Sequence, residues 1–97
     1  MELNDTQRVY FVGIGGIGMA ALARFYMSKA LPVAGYDRTP SALTADLVVE
    51  GARVSYDDSI DAIPPEFRLP EGTLAVYTPA IPTDNKVLAF FRDHGFE

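Results

Sequence analysis

Three short segments carry the residue types that could hold a ligand: Gly13-Ile14-Gly15-Gly16-Ile17-Gly18, Asp37, and Thr78-Pro79-Ala80. The first is a G-x-G-x-x-G pattern. In such a pattern the first glycine allows the tight turn, the second lets backbone N–H groups approach a diphosphate, and the third lets the helix pack closely on the strand. A helix that starts at this turn presents unpaired N–H donors and a partial positive charge, which suit a phosphate. Asp37 follows Gly18 by nineteen residues, close to the spacing at which an acid accepts from a ribose hydroxyl. It could equally cap the turn into the next helix. Thr78 has a hydroxyl to offer a ligand or to its own turn, and Pro79 fixes the loop around it.

The motif needs a strand before it and a helix after it, and both are legible. Val9-Tyr10-Phe11-Val12 is apolar, and the first strand is expected over Arg8–Ile14, with a helix over Gly16–Lys29. Ala20, Ala21 and Ala23 suit close packing on the sheet, and Pro32 stops the helix. Val33–Tyr36 reads as a second strand ending at Asp37. Thr39 followed by Pro40 signals a helix start, with Gly51 as a left-handed cap after Glu50. A third strand is expected over Arg53–Tyr56.

Asp57 to Gly72 reads mostly as loop, with Asp58 or Ser59 capping one helical turn through Ile63. Thr73–Tyr77 has the continuous apolar character of a strand buried on both faces. Two prolines make Thr78–Pro82 a loop, and Thr83 or Asp84 is expected to cap a last helix ending near Gly95. Gly95-Phe96-Glu97 resembles the start of a further strand. Strands alternating with helices demand a parallel sheet. The expected fold is an α/β, Rossmann-like sheet in the order 3-2-1-4, flanked by helices and missing a fifth strand. Residues 1–97 are expected to be one nucleotide-binding domain. The ligand site lies at the switch point outside the strand C-termini.

Composition narrows the chemistry. A net charge of −5 and scattered arginines oppose nucleic-acid binding. The chain has no cysteine and one histidine, His94, so thiol chemistry and His-based metal clusters are excluded. Asp57, Asp58 and Asp61 read as a solvated loop rather than metal ligands, and Arg38 as an isolated surface arginine. No P-loop, Ser/His/Asp set or carboxylate pair is present, so catalytic residues and metal ligands are both expected to be none. The fifteen apolar residues Val9–Ala23 are too short for a membrane span of about 20 residues. The segment before them carries Glu2 and Asp5, unlike a signal peptide, so a cytoplasmic location away from membranes is expected.

Val9–Ala23, Tyr36-Asp37 and Val76–Pro82 followed by Asp84-Asn85 together resemble the N-terminal domain of the Mur ligases. The resemblance is strongest to the branch that joins L-alanine to UDP-N-acetylmuramate in peptidoglycan synthesis, and it covers nearly the whole chain. It implies the front of a three-domain enzyme, with ATP and magnesium bound in a central domain and the amino acid in a C-terminal one. The first domain would bind UDP-N-acetylmuramate. Ile14, Gly15, Gly16, Ile17 and Gly18 would hold the diphosphate through backbone N–H groups, with Asp37, Thr78, Pro79 and Ala80 around the uridine. Two departures stand out: Lys29-Ala30-Leu31-Pro32 where many members close the first helix with glycine, and Tyr56-Asp57 where many have Gly-His. The glycines and Asp37 also suit the first half of an NAD-binding oxidoreductase domain, and a ligase attaching a recovered peptide to the same sugar would look nearly identical here.

Overall fold

Short runs of β-branched and aromatic residues make the strands, and a computed structural model, which describes residues 6–96, places them in one sheet. The strands β1 (Arg8–Val12), β2 (Val33–Tyr36), β3 (Arg53–Ser55) and β4 (Thr73–Tyr77) lie in the order β3-β2-β1-β4. Every pairing is parallel, with Val9 opposite both Val33 and Leu74, and Ala34 opposite Arg53. The helices are α1 (Ile17–Ser28), α2 (Ala42–Glu50) and α3 (Lys86–Asp93). This is the expected α/β architecture and strand order.

The two-residue period of β1 sends its side chains into two separate cores. Val9 and Phe11 pack with Ala20 and Ala23 of α1 and Leu47 of α2. Tyr10 and Val12 face the other side, where Ile63, Phe67, Val87, Leu88 and Phe91 cover them. Tyr10 sits 4.9 Å from Phe91 and 5.9 Å from Phe67, ring centre to ring centre. Burial pushes its phenol well above the ordinary tyrosine pKa, with Tyr36 adding to the effect, so the ring stays neutral. Among the described residues no helix is long and apolar enough to cross a membrane.

Several local expectations change. The cap of α2 is Ser41, not Thr39: Ser41 Oγ accepts from Thr44 N, and Thr44 Oγ1 accepts from Ser41 N in a reciprocal capping box. Asn85 rather than Thr83 or Asp84 caps α3, accepting from Val87 N and Leu88 N. Pro65–Arg68 is a short 3-10 helix where a loop was expected, because it buries Phe67 and proline needs no partner at a helix start. β4 is not buried on both faces. It forms the sheet edge, with Leu74 to Val76 half-buried and Tyr77 exposed. Gly95 turns at φ +78, and Phe96 folds onto Phe90 and Phe91 rather than entering a strand. The expected strand also takes in Glu97, which lies outside the described residues.

Close packing of α1 on the sheet does not come from Gly18. A side chain there would meet nothing within 4 Å. The close approach lies in β2, where a Cβ on Gly35 would sit 2.8 Å from Phe11 O and 2.9 Å from Ile14 Cβ. Gly35 therefore makes room for Ile14, which carries the chain out of β1 with its side chain fully buried.

Candidate nucleotide-binding site

The glycine loop is pinned at its start and open at its end. Gly13 N and Ile14 N both donate to Tyr36 O, at 2.7 and 3.0 Å. Gly13 turns at φ +96, a conformation that strains any other residue. Gly15 N donates to Asp37 Oδ2 at 2.8 Å, and Gly16 N to Gly13 O at 3.2 Å. So three of the five residues Ile14–Gly18 already have their N–H groups engaged within the protein. Among the described residues, Ile17, Gly18 and Met19 N–H meet no acceptor, and Ala20 N begins the helical ladder to Gly16 O. Gly16 caps α1 without a side chain, and the first turn carries no acid. The N-terminus of α1 thus keeps three donors and its partial positive charge for an anion.

Asp37 holds this loop in place. Its Oδ2 takes Gly15 N–H while its Oδ1 takes Thr39 N–H at 3.0 Å, and its own N–H donates to Ser55 O at 3.0 Å. The turn-capping role and a hold on the glycine loop therefore coexist in one carboxylate. Each oxygen keeps a free lone pair, and the side chain is half-exposed. Gly15 has no room for a side chain: a Cβ would lie 2.7 Å from Asp37 Oδ2 and 2.9 Å from Thr44 Cγ2.

Thr78, Pro79 and Ala80 reach the same edge from β4. Thr78 Oγ1 accepts from Ala80 N at 3.4 Å and Thr78 O accepts from Ile81 N at 3.1 Å, so the hydroxyl serves its own turn. The Thr78 methyl faces Gly13, 3.0 Å from where a Cβ would stand. Pro79 and Ala80 are exposed. The three segments singled out in the sequence thus meet, with the glycine loop between Asp37 and Thr78.

Beside them lies a cleft of about 450 Å³ whose lining includes Tyr36, Arg38, Asp58, Ile81, Asn85 and Lys86. Among the described residues, Arg38 and Lys86 make no ion pair or side-chain hydrogen bond. Arg38 and Asp58 read from sequence as ordinary surface residues. Their signal was position: each follows a strand C-terminus, on the edge where ligands of this architecture bind. No three described His, Asp or Glu side chains group as a metal ion would require.

Residues 8–97 match the family model described as Mur ligase family, catalytic domain. The chain belongs to the Mur ligase family. Its family relatives include the UDP-N-acetylmuramate–L-alanine ligase of Phocaeicola vulgatus, 52% identical over 97 residues, which are 100% of this chain and 21% of that protein. The enzyme of the same name from Parabacteroides distasonis is 50% identical over the same shares of both chains. The crystal structure of the UDP-N-acetylmuramate–alanine ligase MurC from Thermotoga maritima superposes with a TM-score of 0.74 at 32% identity. That match covers 88% of this chain and 18% of the other. The chain therefore spans about a fifth of the length of the curated Mur ligases it matches, 21% in the first two.

The two departures from the Mur ligase pattern have structural meaning. Ala30 closes α1 at φ 62, the left-handed region where glycine is at ease. Its N–H donates to Met27 O, and Leu31 N–H donates to Tyr26 O, so the cap forms with alanine in the strained position. Tyr56 stands immediately after β3, and its hydroxyl donates to Thr44 Oγ1 at 2.9 Å.

Proposed function

We propose that this chain is the UDP-N-acetylmuramate-binding part of a larger cytoplasmic ligase that joins L-alanine to the sugar's carboxylate during peptidoglycan synthesis. The observation that carries this reading is the set of three unengaged N–H groups on Ile17, Gly18 and Met19, at the end of a loop fixed by Tyr36 O and Asp37. Those groups receive the diphosphate. Ile14, Gly15 and Gly16 hold the loop in shape, so the donors are oriented before ligand arrives. Asp37 lies on the nucleoside side, and Thr78, Pro79 and Ala80 wall the side toward β4. The adjoining cleft carries both signs of charge, Arg38 and Lys86 with Asp58 and Asp84.

The names of the relatives support the substrate and the amino acid. In this reading ATP and magnesium act in the parent's central domain, where they activate the muramic carboxylate as an acyl phosphate. The residues of this chain bind and orient. Its partners are the substrate and the other two domains of the same protein, not nucleic acid or membrane.

Calorimetric titration with UDP-N-acetylmuramate, UDP and NAD tests the proposal. Without the other domains the sugar loses contacts, so affinity is expected on the order of millimolar, about −4 kcal/mol. UDP-N-acetylmuramate binds best, UDP more weakly and NAD worst, because NAD needs a second mononucleotide-binding half. Tighter binding of NAD overturns the reading.

A further inference from the structure

We propose that Ile81, with the methyl of Thr78, plugs the crevice between β1 and β4 and so limits this site to ligands with a single nucleoside; the inference rests on the diphosphate site proposed above. In an open parallel sheet a dinucleotide lies across the crevice where the strand order reverses, with one nucleoside on each side. Here that point falls between β1 and β4, and Gly13 and Thr78 are the residues that follow the two strands. Thr78 Cγ2 and Ile81 Cδ1 stand 3.0 and 3.2 Å from where a Cβ on Gly13 would be. The two side chains therefore fill the space over the first glycine of the loop. Ile81 also packs on the core that holds Tyr10 and Val12, and it lines the cleft beside Tyr36 and Arg38. One residue thus touches the glycine loop, the core and the cleft.

The plug is tied down on every side. Pro79 and Pro82 fix the backbone around Ile81. Ile81 N–H donates to Thr78 O at 3.1 Å, Ala80 N–H to Thr78 Oγ1 at 3.4 Å and Asn85 N–H to Pro82 O at 3.0 Å. Arg92 of α3 reaches back to Thr83 O at 3.2 Å. Moving the loop aside for a second nucleoside would break these bonds. The Ile81 side chain and the Thr78 methyl also offer no donor or acceptor to a second ribose, whose hydroxyls would lose water without replacement. The β2 side, by contrast, opens into the cleft of about 450 Å³. A group on the far phosphate must therefore leave the sheet edge rather than cross to β4.

The test titrates labelled wild-type chain, Ile81→Ala and Thr78→Ser by NMR with UDP and with diuridine diphosphate, in which a second uridine is joined to the same diphosphate. Each protein is read as the ratio of its two dissociation constants, which cancels any general loss of affinity. Wild type is expected to prefer UDP by about tenfold or more, a discrimination that packing against one or two side chains can supply. Ile81→Ala is expected to narrow that ratio about fivefold, and Thr78→Ser, which keeps the turn hydroxyl and removes only the methyl, about twofold. A folded Ile81→Ala chain that keeps the wild-type ratio overturns the proposal, as does a wild-type chain that binds both ligands equally. Should Ile81→Ala unfold, Thr78→Ser decides: a narrowed ratio supports the plug and an unchanged one overturns it. Failure of wild-type chain to bind UDP at the glycine loop would instead remove the diphosphate site, and this inference with it.

Discussion

Gly15 and Gly18 belong to one motif, yet alanine at each is expected to act in opposite directions. At Gly15 a methyl would stand 2.7 Å from Asp37 Oδ2 and 2.9 Å from Thr44 Cγ2. Thr44 cannot yield, because it is buried and bonded to both Ser41 and Tyr56. Asp37 must swing away, and the 2.8 Å bond from Gly15 N is lost. A hydrogen bond to a charged group contributes about 1.5–3 kcal/mol, and residual overpacking adds about 1 kcal/mol. Gly15→Ala is therefore expected to cost about 3 kcal/mol, a fall in Tm of roughly 15 °C for a domain this size. At Gly18 the methyl meets nothing within 4 Å and sits inside α1. Gly18→Ala should stabilise by up to about 1 kcal/mol through helix propensity. Thermal unfolding followed by circular dichroism compares the two variants in one buffer. Equal destabilisation by both, or a Gly15→Ala variant within about 0.5 kcal/mol of wild type, would refute the assignment of Gly15 as the tight position.

Three further outcomes are expected. Ala30→Gly relieves a left-handed alanine, worth about 1–2 kcal/mol, against the roughly 0.4–1 kcal/mol of chain entropy that glycine adds to the unfolded state; urea unfolding should show a net gain of about 0.5–1 kcal/mol, and a loss would mean that the φ of 62 at this position is not strained. Extending the chain by about ten to fifteen native residues should raise Tm by covering β4, an edge strand beside an apolar groove of about 350 Å³ lined by Ala75, Leu88, Phe91 and Phe96; an unchanged Tm with the added residues disordered would contradict this. Incubation of the 97-residue chain with ATP, magnesium, UDP-N-acetylmuramate and L-alanine should release no phosphate above a protein-free control, and repeated turnover would show that the chemistry does not reside in other domains.

Strand positions were legible because short apolar runs bounded by glycine and proline leave little freedom: β2 and β4 fall at Val33–Tyr36 and Thr73–Tyr77 as read. Helix caps were less so, since adjacent polar residues compete. Thr39 looks like a cap, but the helix begins at Ala42, so the side-chain oxygen that reaches its first turn is that of Ser41. Gly35 was the hidden glycine: nothing in Val-Ala-Gly-Tyr shows that Ile14 will press against it. The site's three segments were found from motif and strand-end position. Which N–H groups stay available could not be read, because Tyr36 O and Asp37 engage three of them only once β2 lies beside the loop. Arg38 and Lys86 come together at the cleft from residues far apart in the chain.

In the proposed function the open N-terminus of α1 receives the diphosphate of a UDP-sugar. Titration of nitrogen-labelled chain with UDP-N-acetylmuramate and, separately, NAD reads each backbone amide directly. The expected result is that UDP-N-acetylmuramate shifts Ile17, Gly18 and Met19 most, at lower concentration than NAD, while Ile14 N–H, engaged by Tyr36 O, moves little. If NAD shifts these amides at the lower concentration, or the UDP-sugar leaves them still, the claim is wrong.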